Sequence, residues 1–375
     1  MPTTDPLFRR ARFEVLVATW FSYAGFYMTR KVFGIIKAPL KARLGVDDLG
    51  VSHLWTAFLV TYMIGQFVAA GMGRRFTSRQ ALLGGMSVSV VANLVMSGWV
   101  GVGPKAYYLM IATMAIHGLA QAMGWPHNVA MVANWTHREE RGRVMALWGT
   151  CYQLGSIFAK AFAAFIFGWL GLAWSFSASS MVLMVVVGVF LFFGHNDPQS
   201  RGLSPLPEEE VPQPASQPAE QPPRSRDGTK VFGTIAAMGV IYFAFKFIRY
   251  ALDSWSAMIL QERFALKTST AGYLSTAFDV VGFIGVVAAG FWSDRLRSRV
   301  KVIFSMTVGL SLATIAMWWI GLSSATAFVV FLGLVGFTAM GPDSLLSGAG
   351  AMDVGSRKRA LAAAGIINGL GAIGP

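Results

Sequence analysis

Two arginines in this 375-residue sequence lie inside long apolar segments. In a lipid bilayer, a charged side chain at such a position costs at least ~2.5–3.5 kcal/mol, so Arg30 and Arg249 are candidates for function. A guanidinium stays charged at physiological pH, and its planar fork of donors matches phosphate or carboxylate oxygens. Two such groups that face each other repel, and a dianion between them would satisfy both. The pair therefore predicts a site for an anion with several oxygens.

The two arginines sit in matching contexts. A set of three residues spaced four and then three apart occurs twice, as Tyr23, Tyr27 and Arg30 and again as Tyr242, Lys246 and Arg249. This spacing places each set on one helical face, where tyrosine hydroxyls and Lys246 can add donors and positive charge. For Arg30 and Lys31 alone, the alternative is that both side chains snorkel to the membrane surface. The matching Arg249 argues against that alternative.

A second charged group involves Lys31, which points about 100° away from Arg30 around the helix. Two acidic residues are available as partners, Asp253 and Asp279. We predict a charge network of Lys31, Asp253 and Asp279 that breaks and re-forms as two halves of the protein move. The alternative for Asp253 is a solvated position in an outer loop, where an ion pair contributes little.

Two further ionisable residues lie in apolar segments. Lys160 is left with two alternatives, since it can line a cavity or snorkel to the membrane surface. Asp343 follows Gly341-Pro342, and we expect it to cap or neutralise a broken helix near an inner gate rather than to contact a ligand.

The composition indicates a membrane protein. Hydrophobic residues make up 54% of the chain and charged residues 13%, whereas soluble chains are about a quarter charged. The formal net charge of +13 would suggest nucleic acid in a soluble protein, but this apolar content excludes a soluble nucleic-acid binder. A single cysteine, Cys151, rules out an intrachain disulfide framework, and the histidines show no ligand spacing. We predict no metal, no cofactor and no enzyme activity.

Eleven apolar segments are long enough to cross a bilayer, six before a polar break and five after it. They lie near 14–36, 52–73, 80–101, 106–128, 144–168, 172–194, 231–251, 270–293, 301–321, 325–348 and 360–375. The sequence predicts a six-helix bundle over 1–195, a disordered Pro-rich cytoplasmic linker over 196–230, and a second bundle over 231–375. The second bundle has five spans, so we expect the twelfth helix to be lacking and the chain to be a truncated product or fragment.

Basic residues are distributed unevenly between the two sides of these segments. Twenty of the 31 lie in the N-terminus, the even-numbered loops and the linker, and six, Lys37 among them, lie on the opposite side. This excess predicts that the N-terminus and the linker are cytoplasmic.

The two halves of the sequence resemble each other at an offset of roughly 216–220 residues. Ala122-Met123-Gly124-Trp125-Pro126 in the first half corresponds to Ala339-Met340-Gly341-Pro342 in the second, and basic clusters follow both. Such a duplication is typical of the parallel halves of a major facilitator transporter. We therefore predict an all-α membrane protein of two pseudo-twofold related bundles.

The sequence resembles the organophosphate:phosphate antiporters of the major facilitator superfamily over nearly the whole chain outside the linker. The motifs that carry the resemblance are Tyr23-x3-Tyr27-x2-Arg30-Lys31, Gly124-Trp125-Pro126, Asn134-Trp135, Glu140-Arg141-Gly142, Trp148-x6-Gly155, Arg249-x3-Asp253-x-Trp255, Asp279-x2-Gly282-x2-Gly285, Gly290-x3-Asp294-Arg295, Gly341-Pro342 and Ala363-Ala364-Gly365.

The resemblance implies a carrier that exchanges a sugar phosphate or glycerol phosphate for inorganic phosphate. It implies that Arg30 and Arg249 bind the phosphoryl group and that the pocket is lined by Tyr23, Tyr27, Tyr62, Trp125 and Trp148. Two pocket positions depart from the family pattern, with Gln66 in place of a lysine and Tyr152 in place of a histidine.

The inner-gate loops also depart from the family pattern. The first-half motif has Ala70 and Arg74 where the second half has Gly290 and Asp294. We therefore expect asymmetric ion pairing among the gate residues Arg75, Asp294 and Arg295.

These observations predict a monomeric secondary antiporter of a bacterial inner membrane that works by rocking of its two bundles, with no nucleic-acid partner. Two alternatives stay open. One is a membrane sensor of external sugar phosphate with the same pocket. The other is a facilitator transporter of a drug or another organic anion, and drug carriers have no need for paired arginines.

Overall fold

The computed structural model describes residues 6–72, 75–204, 226–296 and 298–345. The central part of the predicted linker, the predicted eleventh span, and the side chains of Tyr242 and Asp294 lie outside what the structure describes. The predicted boundary between linker and second bundle falls inside a helix that already begins at Arg226.

The described ranges fold into thirteen α-helices, and within each half short turns join consecutive helices. The first half contains α1 (Pro6–Leu44), α2 (Asp48–Met72), α3 (Ser78–Val102), α4 (Tyr107–Ala122), α5 (Gly124–Asn134), α6 (Arg138–Trp148), α7 (Thr150–Leu170) and α8 (Leu172–Phe193). The second half contains α9 (Arg226–Phe264), α10 (Thr268–Ser275), α11 (Ala277–Leu296), α12 (Arg299–Trp319) and α13 (Ala325–Ser344).

Several predicted spans differ from the helices observed. The fourth span divides into α4 and α5 at Met123, and the eighth divides into α10 and α11 at Thr276. The predicted fifth span begins inside a separate helix, α6, that ends at Trp148, and it continues in α7. The predicted first and seventh spans are the central parts of two 39-residue helices, α1 and α9.

Seven stretches of the described chain are long and apolar enough to cross a membrane. One of these, Ser78–Asn134, runs through α3, α4 and α5, so it contains more than one crossing. The long helices α1 and α9 are not among the seven. In α1, Glu14, Arg30 and Lys31 lower the mean hydropathy of the apolar stretch, and the side chains of the first part of α9, up to Tyr242, lie outside what the structure describes.

Helix α1 is about 58 Å long at 1.5 Å per residue, well beyond the ~30 Å of a bilayer core. We call the side on which α1 begins the proximal side, and the side on which α1 and α9 end the distal side.

Local signals fix several helix ends. The Thr77 hydroxyl accepts a hydrogen bond from the backbone N–H of Gln80 in a capping box at the start of α3. Gly171 ends α7 with a φ of +83°, which glycine adopts at little cost.

The sequence repeat is visible in the packing of equivalent helices. Gly118 of α4 lies directly against the Phe58 carbonyl of α2, and Gly336 of α13 lies in the same way against the Phe278 carbonyl of α11. The two glycines are separated along the chain by the offset of the repeat, and so are the two phenylalanines. A side chain at either glycine would overlap backbone atoms, so the absence of a Cβ allows both helix pairs to approach closely.

The two halves contact each other at their distal ends. There α1 packs against α9, and α7 packs against α10. The Gln261 amide donates to the Ile35 carbonyl at 3.4 Å across this boundary. Lys41 pairs with Asp48 at 2.5 Å and with Glu262 at 2.7 Å, and these hydrogen bonds raise the pKa of its ammonium. The described part of the protein is therefore closed on the distal side.

Candidate functional site

Arg30 lies in the middle of α1 with only 5% of its surface exposed. Its Nε donates to the Gln121 Oε1 at 3.1 Å, and its guanidinium carbon lies 4.7 Å from the Tyr62 ring centre and 5.1 Å from that of Tyr27. The Arg30 Nη2 is buried and has no hydrogen-bond partner among the described residues. The side chain therefore does not reach the membrane surface, and it holds unused donor capacity inside the protein.

Gln121 of α4 fixes the orientation of Arg30, a role that sequence reasoning missed. Its side chain is fully buried, and its amide nitrogen donates to the Phe26 carbonyl at 3.2 Å and to the Thr29 hydroxyl at 2.9 Å. Because the nitrogen is occupied, the amide oxygen is directed at Arg30. The signal in the sequence was a glutamine within an apolar span, which only a partner inside the bundle explains.

Arg249 lies on α9, and its environment differs from that of Arg30. Its Nη1 donates to the Asp343 Oδ2 at 2.7 Å, and its guanidinium carbon lies 5.4 Å from the Tyr152 ring centre. The expectation that Asp343 caps or neutralises a broken helix is wrong, because α13 continues through Asp343 to Ser344 and the carboxylate forms a buried ion pair with Arg249. The expectation of two unopposed arginines in the empty site is wrong for the same reason.

Both arginines line one cavity of about 20 Å³, which has room for about one water molecule. Its lining consists of Tyr27, Arg30, Lys31, Gly34, Trp55, Arg249, Tyr250, Asp253 and Ser254. Residues from both halves surround the cavity, so a larger ligand requires the halves or their side chains to move apart.

The other predicted pocket residues surround this cavity at different distances. Tyr62 and Tyr152 contact the two guanidinium groups as described, and Lys246 is half-buried with its Nζ 5.9 Å from the Tyr250 ring centre. Gln66 donates to the Ala122 carbonyl at 3.4 Å, so its amide is directed at the α4 backbone rather than at an arginine.

Tyr23, Trp125 and Trp148 form an aromatic cluster one to two helical turns proximal to Arg30. The Tyr23 ring centre is 5.1 Å from that of Trp125 and 6.1 Å from that of Trp148. The Trp148 indole N–H donates to the Thr19 hydroxyl at 3.1 Å, which fixes the ring. The cluster adjoins the cavity without lining it.

A network of four buried charges crosses the boundary between the halves, and we call it the distal network. Lys31 of α1 is paired with Asp253 of α9. The Lys160 Nζ of α7 lies 2.5 Å from the Asp253 Oδ1 and 2.6 Å from the Asp279 Oδ2 of α11. The first half supplies both lysines and the second half supplies both aspartates, so each pair holds the halves together.

The distal network contains the predicted pair of Lys31 with Asp253 and differs from the prediction in the partner of Asp279 and in the inclusion of Lys160. Asp279 contacts Lys160 and the Ser156 hydroxyl, at 2.7 Å, rather than Lys31. The solvated alternative for Asp253 is wrong, because its side chain is only 10% exposed and contacts two lysines. Lys160, which the sequence left between two alternatives, is 1% exposed at the centre of the network and does not snorkel.

The prediction that Lys37 belongs to the external basic residues is wrong. Lys37 lies inside α1 with none of its surface exposed. Its Nζ donates to the Ser254 hydroxyl at 2.5 Å and lies 3.6 Å from the Trp255 ring centre. A buried ammonium on an aromatic face forms a cation–π contact, here between the two halves.

The predicted inner gate is only partly described. Arg75 and Arg295 are exposed, and within the described residues neither forms an ion pair, while the Asp294 side chain lies outside those residues. The asymmetric gate therefore stays a prediction.

These features define a multi-spanning membrane protein with a cavity lined by two arginines between two helical bundles. The chain belongs to the Major Facilitator Superfamily, whose family model matches residues 18–375. The fold predicted from the sequence is thereby confirmed, and the relatives described next confirm the resemblance to the organophosphate transporters of this superfamily.

Several relatives have names that refer to organophosphates. The putative glycerol-3-phosphate transporter 5 of Arabidopsis thaliana is 30% identical, over 96% of this chain and 82% of that protein. The sugar phosphate exchanger 3 of Bos taurus is 25% identical, over 96% of this chain and 84% of that protein. The glycerol-3-phosphate transporter of Bacillus subtilis (strain 168) is 25% identical, over 99% of this chain and 85% of that protein. These relatives are transporters, not enzymes.

Solved structures share the fold. A bacterial homologue of the human lysosomal transporter Spinster, in an inward-facing and unoccupied conformation, superposes with a TM-score of 0.67 at 17% identity, covering 97% of this chain and 81% of that one. A D-xylose-proton symporter superposes with a TM-score of 0.68 at 12% identity, covering 96% of this chain and 87% of that one. At these identities the similarity concerns the fold alone.

Proposed function

We propose that this protein is a secondary transporter that exchanges an organophosphate, either a sugar phosphate or glycerol phosphate, for inorganic phosphate. The observation that carries the proposal is the buried Arg30 guanidinium, whose Nη2 lacks a partner among the described residues and which shares a cavity with Arg249. A phosphoryl group offers several oxygens to guanidinium donors, which favours it over a singly charged ligand. The names of the relatives support the same substrate class.

The charge balance of the buried groups also favours an anion. The basic residues at and around the cavity outnumber the acidic ones, and they are Arg30, Lys31, Lys37, Lys160, Lys246 and Arg249 against Asp253, Asp279 and Asp343. A bound anion reduces this excess, and in a low-dielectric interior the reduction is worth more than in water. A carrier of neutral or cationic drugs would gain nothing from this arrangement.

The proposed mechanism is a rocking motion of the two bundles. When the distal side is closed, the distal network joins Lys31 and Lys160 to the aspartates of the other half. An anion that enters from the proximal side contacts Arg30 on α1 and Arg249 on α9, and so bridges the halves next to this network. The free energy of anion binding between the halves then compensates part of the cost of reorienting the two bundles. We place the protein in a bacterial cytoplasmic membrane, as a monomer with a cytoplasmic N-terminus.

The test is exchange of labelled phosphate in proteoliposomes by Arg30→Lys and Arg249→Lys variants. Lysine keeps the charge but loses the planar fork, so we expect each variant to lose counterflow by about a hundredfold or more. Arg263→Lys is the matched control, because Arg263 lies on α9 but is exposed at its distal end. Exchange at the wild-type rate in either cavity variant would refute the two-arginine site.

The sensor alternative is tested with the same vesicles. A sensor that works through a partner protein would not accumulate substrate alone, whereas the proposed carrier exchanges phosphate without any other protein. Competition by a panel of sugar phosphates, triose phosphates and glycerol phosphate then identifies the organic part of the substrate.

A further inference from the structure

The two cavity arginines are neutralised to different degrees by the protein itself. Arg30 contacts a neutral amide, the Gln121 Oε1, whereas Arg249 contacts a carboxylate, the Asp343 Oδ2. The Arg249 and Asp343 side chains are only 12% and 5% exposed, so water weakens their attraction little. One of the two anion-binding groups is therefore already occupied by an anion that belongs to the protein.

The location of Asp343 makes it a direct competitor for a bound phosphoryl group. Asp343 lies on α13 and Arg249 on α9, so both belong to the second half and their pairing does not depend on how the halves are oriented. A phosphoryl group that uses the Arg249 fork must displace the carboxylate or share the fork with it. Two anions at one guanidinium repel each other strongly in a buried site.

We propose that Asp343 is an internal counter-ion of Arg249 that the phosphoryl group displaces, and that it thereby lowers the affinity of the carrier for phosphate. The inference rests on the proposed function, since it assumes that phosphate binds at these arginines. It assigns Asp343 a role in specificity. The carboxylate weakens binding of every anion, and an anion able to engage both arginines bidentately recovers more of that cost than a smaller one.

A carrier has a physical reason to hold such a group. Two bare guanidinium groups in a closed cavity repel, and they would hold a dianion so tightly that its release becomes slow. With Asp343 in place, the empty site contains a single arginine without a carboxylate partner among the described residues, and the leaving anion is replaced by the returning carboxylate.

The experiment is equilibrium binding of labelled inorganic phosphate to the purified full chain. We expect Asp343→Asn to bind phosphate about tenfold more tightly than the wild type, because the competing charge-assisted bond is gone. In an Arg249→Gln background, Asp343→Asn should change the affinity by less than about threefold, because no contested group remains. Asp343→Ser is a second neutral variant and should tighten binding in the same way. Asp343→Glu keeps the charge, so it should retain an affinity equal or close to that of the wild type.

Asp279→Asn is the matched control for loss of a buried carboxylate in the same half. Asp279 pairs with Lys160 and not with Arg249, so any tightening caused by its removal should be the same in the Arg249→Gln background, unlike that of Asp343→Asn. Unchanged or weaker binding by both neutral Asp343 variants would overturn the inference, and so would equal tightening in the presence and absence of Arg249. These outcomes leave the proposed function intact when the wild type binds and exchanges phosphate. A wild type that binds no phosphate would overturn both.

Discussion

Replacing Lys160 by methionine removes the centre of the distal network and should open the distal side. Lys160 contacts both Asp253 and Asp279, at 2.5 and 2.6 Å, and is 1% exposed. Without it, Asp253 keeps Lys31 as a partner, but among the described residues Asp279 keeps only the Ser156 hydroxyl. The closed form then contains a buried carboxylate without a cation partner among the described residues.

The size of the effect follows from this loss. Removing one partner of a buried ion pair typically costs 3–5 kcal/mol, and we take about 3 kcal/mol because the Ser156 hydroxyl still donates to Asp279. The open form avoids this cost, since there the aspartate is hydrated. At 1.4 kcal/mol per factor of ten, the equilibrium moves about a hundredfold toward the open form. An open form populated at about 1% would rise to about half of the molecules.

The assay is the distance between spin labels across the distal side. Lys105, in the turn between α3 and α4, and Lys267, just before α10, are both exposed and belong to opposite halves. Labels are attached to cysteines at these positions in a Cys151→Ala background. Pulsed double-resonance distance distributions should show a longer-distance population in Lys160→Met that is minor or absent in the parent protein.

A double variant supplies the control. In Lys160→Met with Asp279→Asn, the unpaired carboxylate is gone and the pair of Lys31 with Asp253 remains. We expect this variant to return toward the closed distribution. If Lys160→Met gives the same distances as the parent protein, then the distal network does not hold the distal side closed and the reasoning is wrong.

Two further predictions concern stability in detergent, read from the unfolding temperature. Gly336→Ala adds a methyl where α13 touches the α11 backbone, and we expect a loss of about 1–3 kcal/mol. Gly98→Ala is the control, because nothing lies within 4 Å of its added methyl, and it should not lower the unfolding temperature. Lys37→Met removes a fully buried ammonium that has no ion-pair partner among the described residues, and it should raise the unfolding temperature by the equivalent of about 1–4 kcal/mol. A lower temperature for Lys37→Met would show that the contact with Trp255 outweighs desolvation.

Much of the fold was accessible from the sequence because a bilayer imposes a simple rule on it. A crossing helix needs about 20 apolar residues, so the spans, the central break and the repeat are all visible as one-dimensional patterns. The positions of the helix breaks were not accessible. Met123, Gly149 and Thr276 interrupt helices inside predicted apolar spans, so the pattern of spans does not mark them as breaks.

The candidate site was predictable to the extent that a single residue is anomalous by itself. Arg30 and Arg249 stand out because a charge in an apolar segment is costly whatever surrounds it. Gln121 and Asp343 were missed or misassigned, because their importance comes from the arginine that each contacts. Lys37 was misassigned because its distance from the end of the apolar segment says nothing about whether the other half covers it.

The sequence by itself therefore determined that the chain is a membrane protein with two related halves, and it predicted an anion site at the buried charges. It could do so because the cost of a buried charge and the length of a span belong to one residue or one segment. Only the tertiary structure decided how the charges are paired. Lys160 joins Asp253 to Asp279, Asp343 neutralises Arg249, and Arg30 keeps a free donor beside Gln121 among the described residues. Pairing depends on distances of a few ångströms between helices far apart in the chain, and such distances follow from packing rather than from any local pattern.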